Sequence, residues 1–356
     1  MRQTWKVMIR SQLALAFVLA IMNTSMGYAQ ADCEPVDGVV PICGLVGPED
    51  LERTPDNRYI VISSMGSPGG LLVLDPQTDA LTRIYGEGVG ENSPEPGWGD
   101  PACTAAPDWV LSHGIDVRVR ADGRWQVLVV NHQQRESVEF FELLPGDPAP
   151  TAVWRGCVSG PDNANFNDTV ALADGGFLVT HMADQGLLPW QLLRAVLGFD
   201  TGFLYRWSPE TGFAQVPNTQ ARFPNGVSLA PDGQSFYLND YFGNTVRRHN
   251  LETGELLAQA EVMQTDNGAW TEGGKLLVAS HPVSVLDLVV SLGHGFETPS
   301  LLPFDIVELD PETLASRLLI SREGPPMGAG TVALQHGDFL YIGSYLGDRL
   351  IKVPLN

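Results

Sequence analysis

Three adjacent pairs of oxygen-bearing side chains recur along the chain: Glu49-Asp50, Asn167-Asp168 and Asp266-Asn267. Asn225, Thr331 and the residues His113 and Asp116 occupy comparable places between them. Carboxylates and amides gathered in one place are costly to bury without a partner, and a cation relieves that cost. Oxygen donors without thiolates, and with imidazole only at the edge, suit a hard ion such as Ca²⁺ rather than zinc. A water-filled channel lined by the same polar residues, as in a non-catalytic binding protein, is the alternative.

Residues so far apart need a repeated scaffold to meet, and the sequence contains one. A turn followed by an apolar strand occurs at Asp56-Asn57 before Tyr59, at Asp122-Gly123 before Val127 and at Asp174-Gly175 before Phe177. It recurs at Asp232-Gly233 before Phe236, at Gly273-Gly274 before Leu276 and at His336-Gly337-Asp338 before Phe339. These six copies are spaced about 56 residues apart on average, enough for four short strands and their turns. One such sheet cannot bury both faces, so the expected fold is all-β, a six-bladed β-propeller around a central channel. Asp50, Asp116, Asp168, Asn225, Asn267 and Thr331 each precede a turn by six to eight residues. The repeat would therefore aim them at one axis. The last strand, Leu350–Leu355, would close the ring against the N-terminal segment.

Composition agrees with a folded, turn-rich chain: 356 residues, 44% hydrophobic and 18% charged, with 38 Gly and 26 Pro. A formal net charge of −21, with 21 Lys and Arg dispersed along the chain, argues against a nucleic-acid partner. Arg2, Lys6 and Arg10 precede an apolar run from Leu13 to Met22, and Ala29-Gln30-Ala31 follows. That order reads as a secretory signal at 1–31, leaving one domain at 32–356 that is secreted or periplasmic. In an oxidising compartment Cys33, Cys43, Cys103 and Cys157 would form two disulfides. Three pairings are available, and closeness in sequence favours Cys33–Cys43 with Cys103–Cys157.

Several segments, in order, resemble a known family. They are Ser112-His113-Gly114-Ile115, Val129-Val130-Asn131-His132, Asn165-Phe166-Asn167-Asp168, Pro224-Asn225-Gly226 with Pro231-Asp232-Gly233, Asp266-Asn267, Ser280-His281-Pro282 and Gly330-Thr331-Val332-Ala333. Together, from Glu49 to the C-terminus, they resemble the calcium-dependent paraoxonases, six-bladed lactonase and arylesterase propellers. Asn-Gly and Pro-Asp-Gly are shared with gluconolactonase-like propellers.

The resemblance implies two calcium ions. Glu49, Asn167, Asn225, Asp266 and Asn267 would hold a catalytic one; Asp50, Asp168 and the carbonyl of Ile115 would hold a structural one deeper in the channel. It implies that His113, backed by His132, activates water against a lactone or aryl-ester carbonyl. His181, His249, His281, His294 and His336 are expected to be structural or rim residues. The chain departs from the family in having no cysteine in its last strand and in carrying Ser280 before His281-Pro282. The apolar segment Leu187–Phe199 resembles the family's helical lid and could also meet a membrane surface. A second apolar insert, Val283–Leu292, would build the opposite wall. The expected function is calcium-dependent hydrolysis of a small lactone or aryl ester. Sugar-lactone hydrolysis and a non-catalytic binding propeller are the alternatives.

Overall fold

The computed structural model describes residues 33–355 apart from 187, 292–295 and 297. The expected leader at 1–31 and His294 lie outside the described residues. From Cys33 onward the chain folds into six sheets. Their innermost strands are Leu51–Arg53, Ser112–Val119, Phe166–Ala171, Pro224–Leu229, Thr265–Trp270 and Gly330–His336. Each contacts the next, and Leu51–Arg53 contacts both Ser112–Val119 and Gly330–His336, so the circle is complete. The fold is a six-bladed β-propeller.

The second strand of a blade is pressed between the neighbouring blades, which explains its unbroken apolar runs. Ile60–Ser64, Phe177–His181, Ser235–Asp240 and Leu276–Ser280 are buried at every position. The outermost strands face solvent on one side, and Leu256–Glu261 alternates between exposed and half-buried residues. Blades are held together by mixed clusters, such as Val61, Leu71 and Val73 of the first with Val127, Phe141 and Trp154 of the second. Each fully buried side chain of this kind contributes roughly 1.5–3 kcal/mol.

The turns after the innermost strands are built as the repeat requires. Asn57, Gly123, Gly175, Gly233 and Gly337 all have positive φ. In the fifth blade that conformation falls on Gly274, one residue after the Gly273 that marks the repeat in sequence. The ring closes as expected: Val40–Cys43 pairs antiparallel with Arg349–Pro354, setting Ile42 opposite Leu350. Both disulfides, Cys33–Cys43 and Cys103–Cys157, are formed.

Two expectations need correction. Blade two is not a simple four-stranded antiparallel sheet, because Glu91–Asn92 adds a fifth strand parallel to Thr151–Ser159. The connection from blade one runs along the outer edge of blade two in the same direction as its last strand, and Cys103–Cys157 fastens it there. The two apolar inserts also do not stand opposite one another. They contain the helices Leu188–Val196 and Val285–Ser291, which lie between the second and third strands of blades three and five. Leu192 and Ala195 of the first share one apolar cluster with Leu288 of the second, joined by Tyr241 and Phe242 of the intervening blade four. Trp190, Leu193, Val196, Leu197 and Phe199 stay exposed. Among the described residues no helix is long and apolar enough to cross a membrane.

Candidate active site

An extended strand alternates its side chains, so a doublet such as Asn167-Asp168 would ordinarily send one residue away from the axis. Five of the six innermost strands avoid this with an irregularity at the same place. Pairing with the second strand slips between Ser112 and Ile115, Phe166 and Thr169, Pro224 and Val227, Thr265 and Gly268, and Gly330 and Ala333. These slips bracket His113, Asn167-Asp168, Asn225, Asp266-Asn267 and Thr331. In the first blade Glu49-Asp50 precede the strand altogether. Bulges of this kind re-aim side chains, and here they release both Asn167-Asp168 and Asp266-Asn267 from strict alternation.

The packing that results is tight enough to dictate glycine. A Cβ on Gly114 would lie 2.4 Å from Asp168 Oδ1, and one on Gly226 would lie 2.8 Å from the Cα of Asn267. The glycines after His113 and Asn225 therefore let adjacent innermost strands approach.

Glu49, Asn167, Asn225, Asp266 and Asn267 are all buried, and their oxygens test whether a cation fits. Glu49 Oε2 and the Oδ1 atoms of Asn167, Asn225 and Asn267 have no hydrogen-bond partner. Four blades thus supply one buried acceptor each with no donor to satisfy it. Such acceptors are expensive unless water or an ion meets them. The charge balance agrees: burial first, then repulsion from Asp50, Asp266 and Asp168, pushes the Glu49 carboxyl well above its usual value. Burial likewise raises Asp266 to about 8, against a hydrogen bond from Asn225. The donor set is oxygen-only and electron-rich, and it fits a hard divalent ion.

His113 borders this cluster. Its Nε2 lies 3.2 Å from Asn167 Nδ2 and 3.7 Å from Glu49 Oε1. Its Nδ1 meets His132 Nε2 at 2.8 Å, and His132 Nδ1 meets Glu136 Oε2 at 2.9 Å. Asn167 Nδ2 can only donate and the Glu136 carboxylate can only accept, so one pattern satisfies every contact. Each histidine then carries its proton on Nδ1, and His113 Nε2 is left as a lone pair. Burial, followed by the charge of His132, lowers the His113 pKa well below the ordinary histidine value. It is a buried imidazole at the edge of the oxygen cluster.

A second acidic layer involves Asp50, Asp116 and Asp168. Asp50 accepts from the amides of Leu51 and Ile115, both at 2.8 Å. Asp168 accepts from Thr169 and Val227, both at 2.7 Å, and Asp116 accepts from Ala171 at 3.0 Å. Three carboxylates therefore fasten blade one to two, two to three and three to four. Burial raises Asp50 to about 7 against the pull of these amides. Burial and then Asp50 raise Asp168. Ile115 meets Asp50 through its N–H.

Two site neighbours were not apparent in the sequence. Glu136, at the end of the histidine chain, lies in no motif, and no periodicity marks it. His281, expected to be structural or on the rim, is buried 3.6 Å from Asp266 Oδ2. It is held by Tyr241 Oη at 3.0 Å and the Gly330 carbonyl at 2.9 Å. Thr331 closes the ring by donating to the Glu49 carbonyl at 2.6 Å.

Comparison with known proteins agrees with this architecture. Residues 122–277 match the model of the SMP-30/Gluconolactonase/LRE-like region. Human serum paraoxonase/arylesterase 1 is 24% identical over 271 residues, covering 71% of this chain and 72% of that protein. The structure of a gluconolactonase from Xanthomonas campestris superposes with a TM-score of 0.53 at 15% identity, covering 92% of this chain and 97% of the other. Regucalcin from Agrobacterium tumefaciens, described as a calcium-binding protein, gives 0.50 at 11% identity, covering 88% and 91%. The chain is thus a six-bladed propeller with a gluconolactonase-like central region and sequence similarity to a paraoxonase/arylesterase.

Proposed function

We propose that the protein is a calcium-dependent hydrolase of small lactones or aryl esters. One observation carries the reading: Glu49, Asn167, Asn225 and Asn267 each keep an unpartnered buried oxygen, and His113 Nε2 lies within 3.7 Å of Glu49 and 3.2 Å of Asn167. Glu49, Asn167, Asn225, Asp266 and Asn267 would hold the ion. When bound, Ca²⁺ would supply Lewis acidity for the substrate carbonyl and charge for the developing oxyanion. His113 Nε2 would take a proton from the attacking water. Its Nδ1–H stays on His132, which orients the ring. The helix Leu188–Val196 would act as a lid that excludes water, and its exposed apolar face could also rest on a membrane surface. A second, structural calcium at Asp50, Asp168 and the Ile115 carbonyl is a separate proposal, supported by the mutual repulsion of the two carboxylates. The two disulfides suit an exported, oxidising location, secreted or periplasmic.

Sugar-lactone hydrolysis is the second reading, favoured by the match over 122–277. Assaying phenyl acetate, aliphatic lactones and a sugar-acid lactone, with calcium and with a chelator, decides among them. Calcium-dependent turnover of the first two supports the main reading, turnover of the last alone supports the second, and no turnover of any leaves a binding propeller.

A further inference from the structure

Glu136 sits just before the third strand of blade two, Ser137–Leu144, with its side chain 9% exposed. One carboxylate oxygen accepts from His132 Nδ1 and from Gln185 Nε2, both at 2.9 Å. The other accepts the amide of Phe166, the first residue of the strand that carries Asn167. The carboxylate therefore touches the histidine pair on one side and the base of the oxygen cluster on the other.

We propose that Glu136 is a positioning residue that sets the proton pattern of the two histidines. The proposal rests on the hydrolase reading. A neutral imidazole has one donor and one acceptor nitrogen, and nothing intrinsic decides which is which. A carboxylate only accepts, so Glu136 obliges His132 to carry its proton on Nδ1. His132 Nε2 must then accept, and among the described residues its donor is His113 Nδ1 at 2.8 Å. The proton of His113 is thereby drawn away from the channel, and its Nε2 lone pair faces Asn167 and Glu49. During turnover the water proton moves to His113 Nε2 as the water oxygen bonds the carbonyl carbon, and when the ester C–O bond breaks the departing oxygen takes that proton back. The imidazolium keeps its Nδ1–H bond to His132, and no proton need leave His132. Orienting partners of this type typically change activity about 10- to 100-fold when removed.

A strut that merely fastens Phe166 would use the same contacts, so the test must separate the two. Imidazole nitrogen spectra of the calcium-loaded protein, taken at mildly alkaline pH where neutral rings dominate, report the tautomer of His132 directly. The expected result is a wild type protonated at Nδ1 and a Glu136→Gln variant in which the Nε2–H form appears. Turnover of phenyl acetate by that variant should fall about 10- to 100-fold in kcat with KM changed less than about threefold. The loss should vanish when Glu136→Gln is made in a His132→Gln background, because a positioning effect acts through His132. A strut would cost the same in either background. Protonation of wild-type His132 at Nε2, an unchanged tautomer in Glu136→Gln, an unchanged kcat, or an equal loss in both backgrounds each overturns the proposal. Should Glu136→Gln not fold, Glu136→Asp in the two backgrounds makes the same comparison, and wild-type protonation at Nε2 still overturns the proposal. Should the wild type hydrolyse none of the substrates, the hydrolase reading fails while the spectra still test the Glu136–His132 assignment.

Discussion

Asn267 donates its Nδ2–H to Glu49 Oε1 at 2.6 Å, joining the fifth blade to the segment that leads into the first. The same pair leaves Glu49 Oε2 and Asn267 Oδ1 without donors. One contact thus joins two blades of the ring and also leaves two buried oxygens for the proposed cation.

Removing calcium should expose this charge as a pH-dependent instability. Burial pushes Asp266 up to about 8 and Asp50 up to about 7 in the fold, and raises Glu49 well above its usual value. Unfolded carboxyls titrate near ~4. Between those limits the folded chain binds more protons than the unfolded one, so stability falls as pH rises. The chelated protein should melt lower at about pH 8 than at about pH 5. Excess Ca²⁺ should raise the melting temperature, most strongly at the higher pH. Melting curves that ignore both chelator and calcium would remove the cation from the site.

His113→Gln should fold and melt like the wild type while losing about 10²- to 10⁴-fold in turnover. The wild-type rate should climb with pH and level off below the usual histidine range, because the His113 pKa is lowered by burial. A pH–rate profile on a reactive lactone checks both points, and a fully active variant would reassign the base.

Gly114→Ala should be among the most damaging small substitutions in the chain. Its methyl would meet Asp168 Oδ1 at 2.4 Å and the Asp168 Cα at 2.5 Å, neither of which can yield cheaply. Overpacking of this sort costs about 1–3 kcal/mol or more. Gly273→Ala, whose nearest neighbour is Thr271 Oγ1 at 3.8 Å, should be close to neutral. Urea denaturation of the two variants side by side gives the comparison.

Asp168→Ala should act on stability and Asn225→Ala on turnover. The first strands the amides of Val227 and Thr169, a loss on the order of 2–5 kcal/mol. The second removes an oxygen that no hydrogen bond uses, together with the one hydrogen bond Asn225 gives Asp266. Its main effects should be weaker calcium binding and slower hydrolysis, read by calorimetry and by rate.

The propeller was legible because each blade repeats a turn and a largely buried apolar strand, and because Leu350–Leu355 had an obvious task at the seam. The identity of the polar cluster was also legible from the doublets. Their geometry was not, since a bulge is set by pairing between strands and leaves no local mark around Asn167 or Asp266. Glu136 escaped notice for a related reason. Its contacts with His132 and Phe166 depend on how a loop of blade two meets the first strand of blade three. The relation of the two helices depended on Tyr241 and Phe242, whose place between blades three and five exists only in the closed ring.

The pairing of Val40–Cys43 with Arg349–Pro354 bears on the order in which the chain can fold. A polypeptide made from its N-terminus exposes Val40–Cys43 first, yet the edge that receives this strand is among the last to be made. Blades one to five can each form from contiguous sequence, whereas the sixth must wait and then recruit a segment some three hundred residues behind it. In the interval an unpaired strand edge is open to other chains. Dilution during refolding should therefore improve recovery of the native protein more than slower removal of denaturant does.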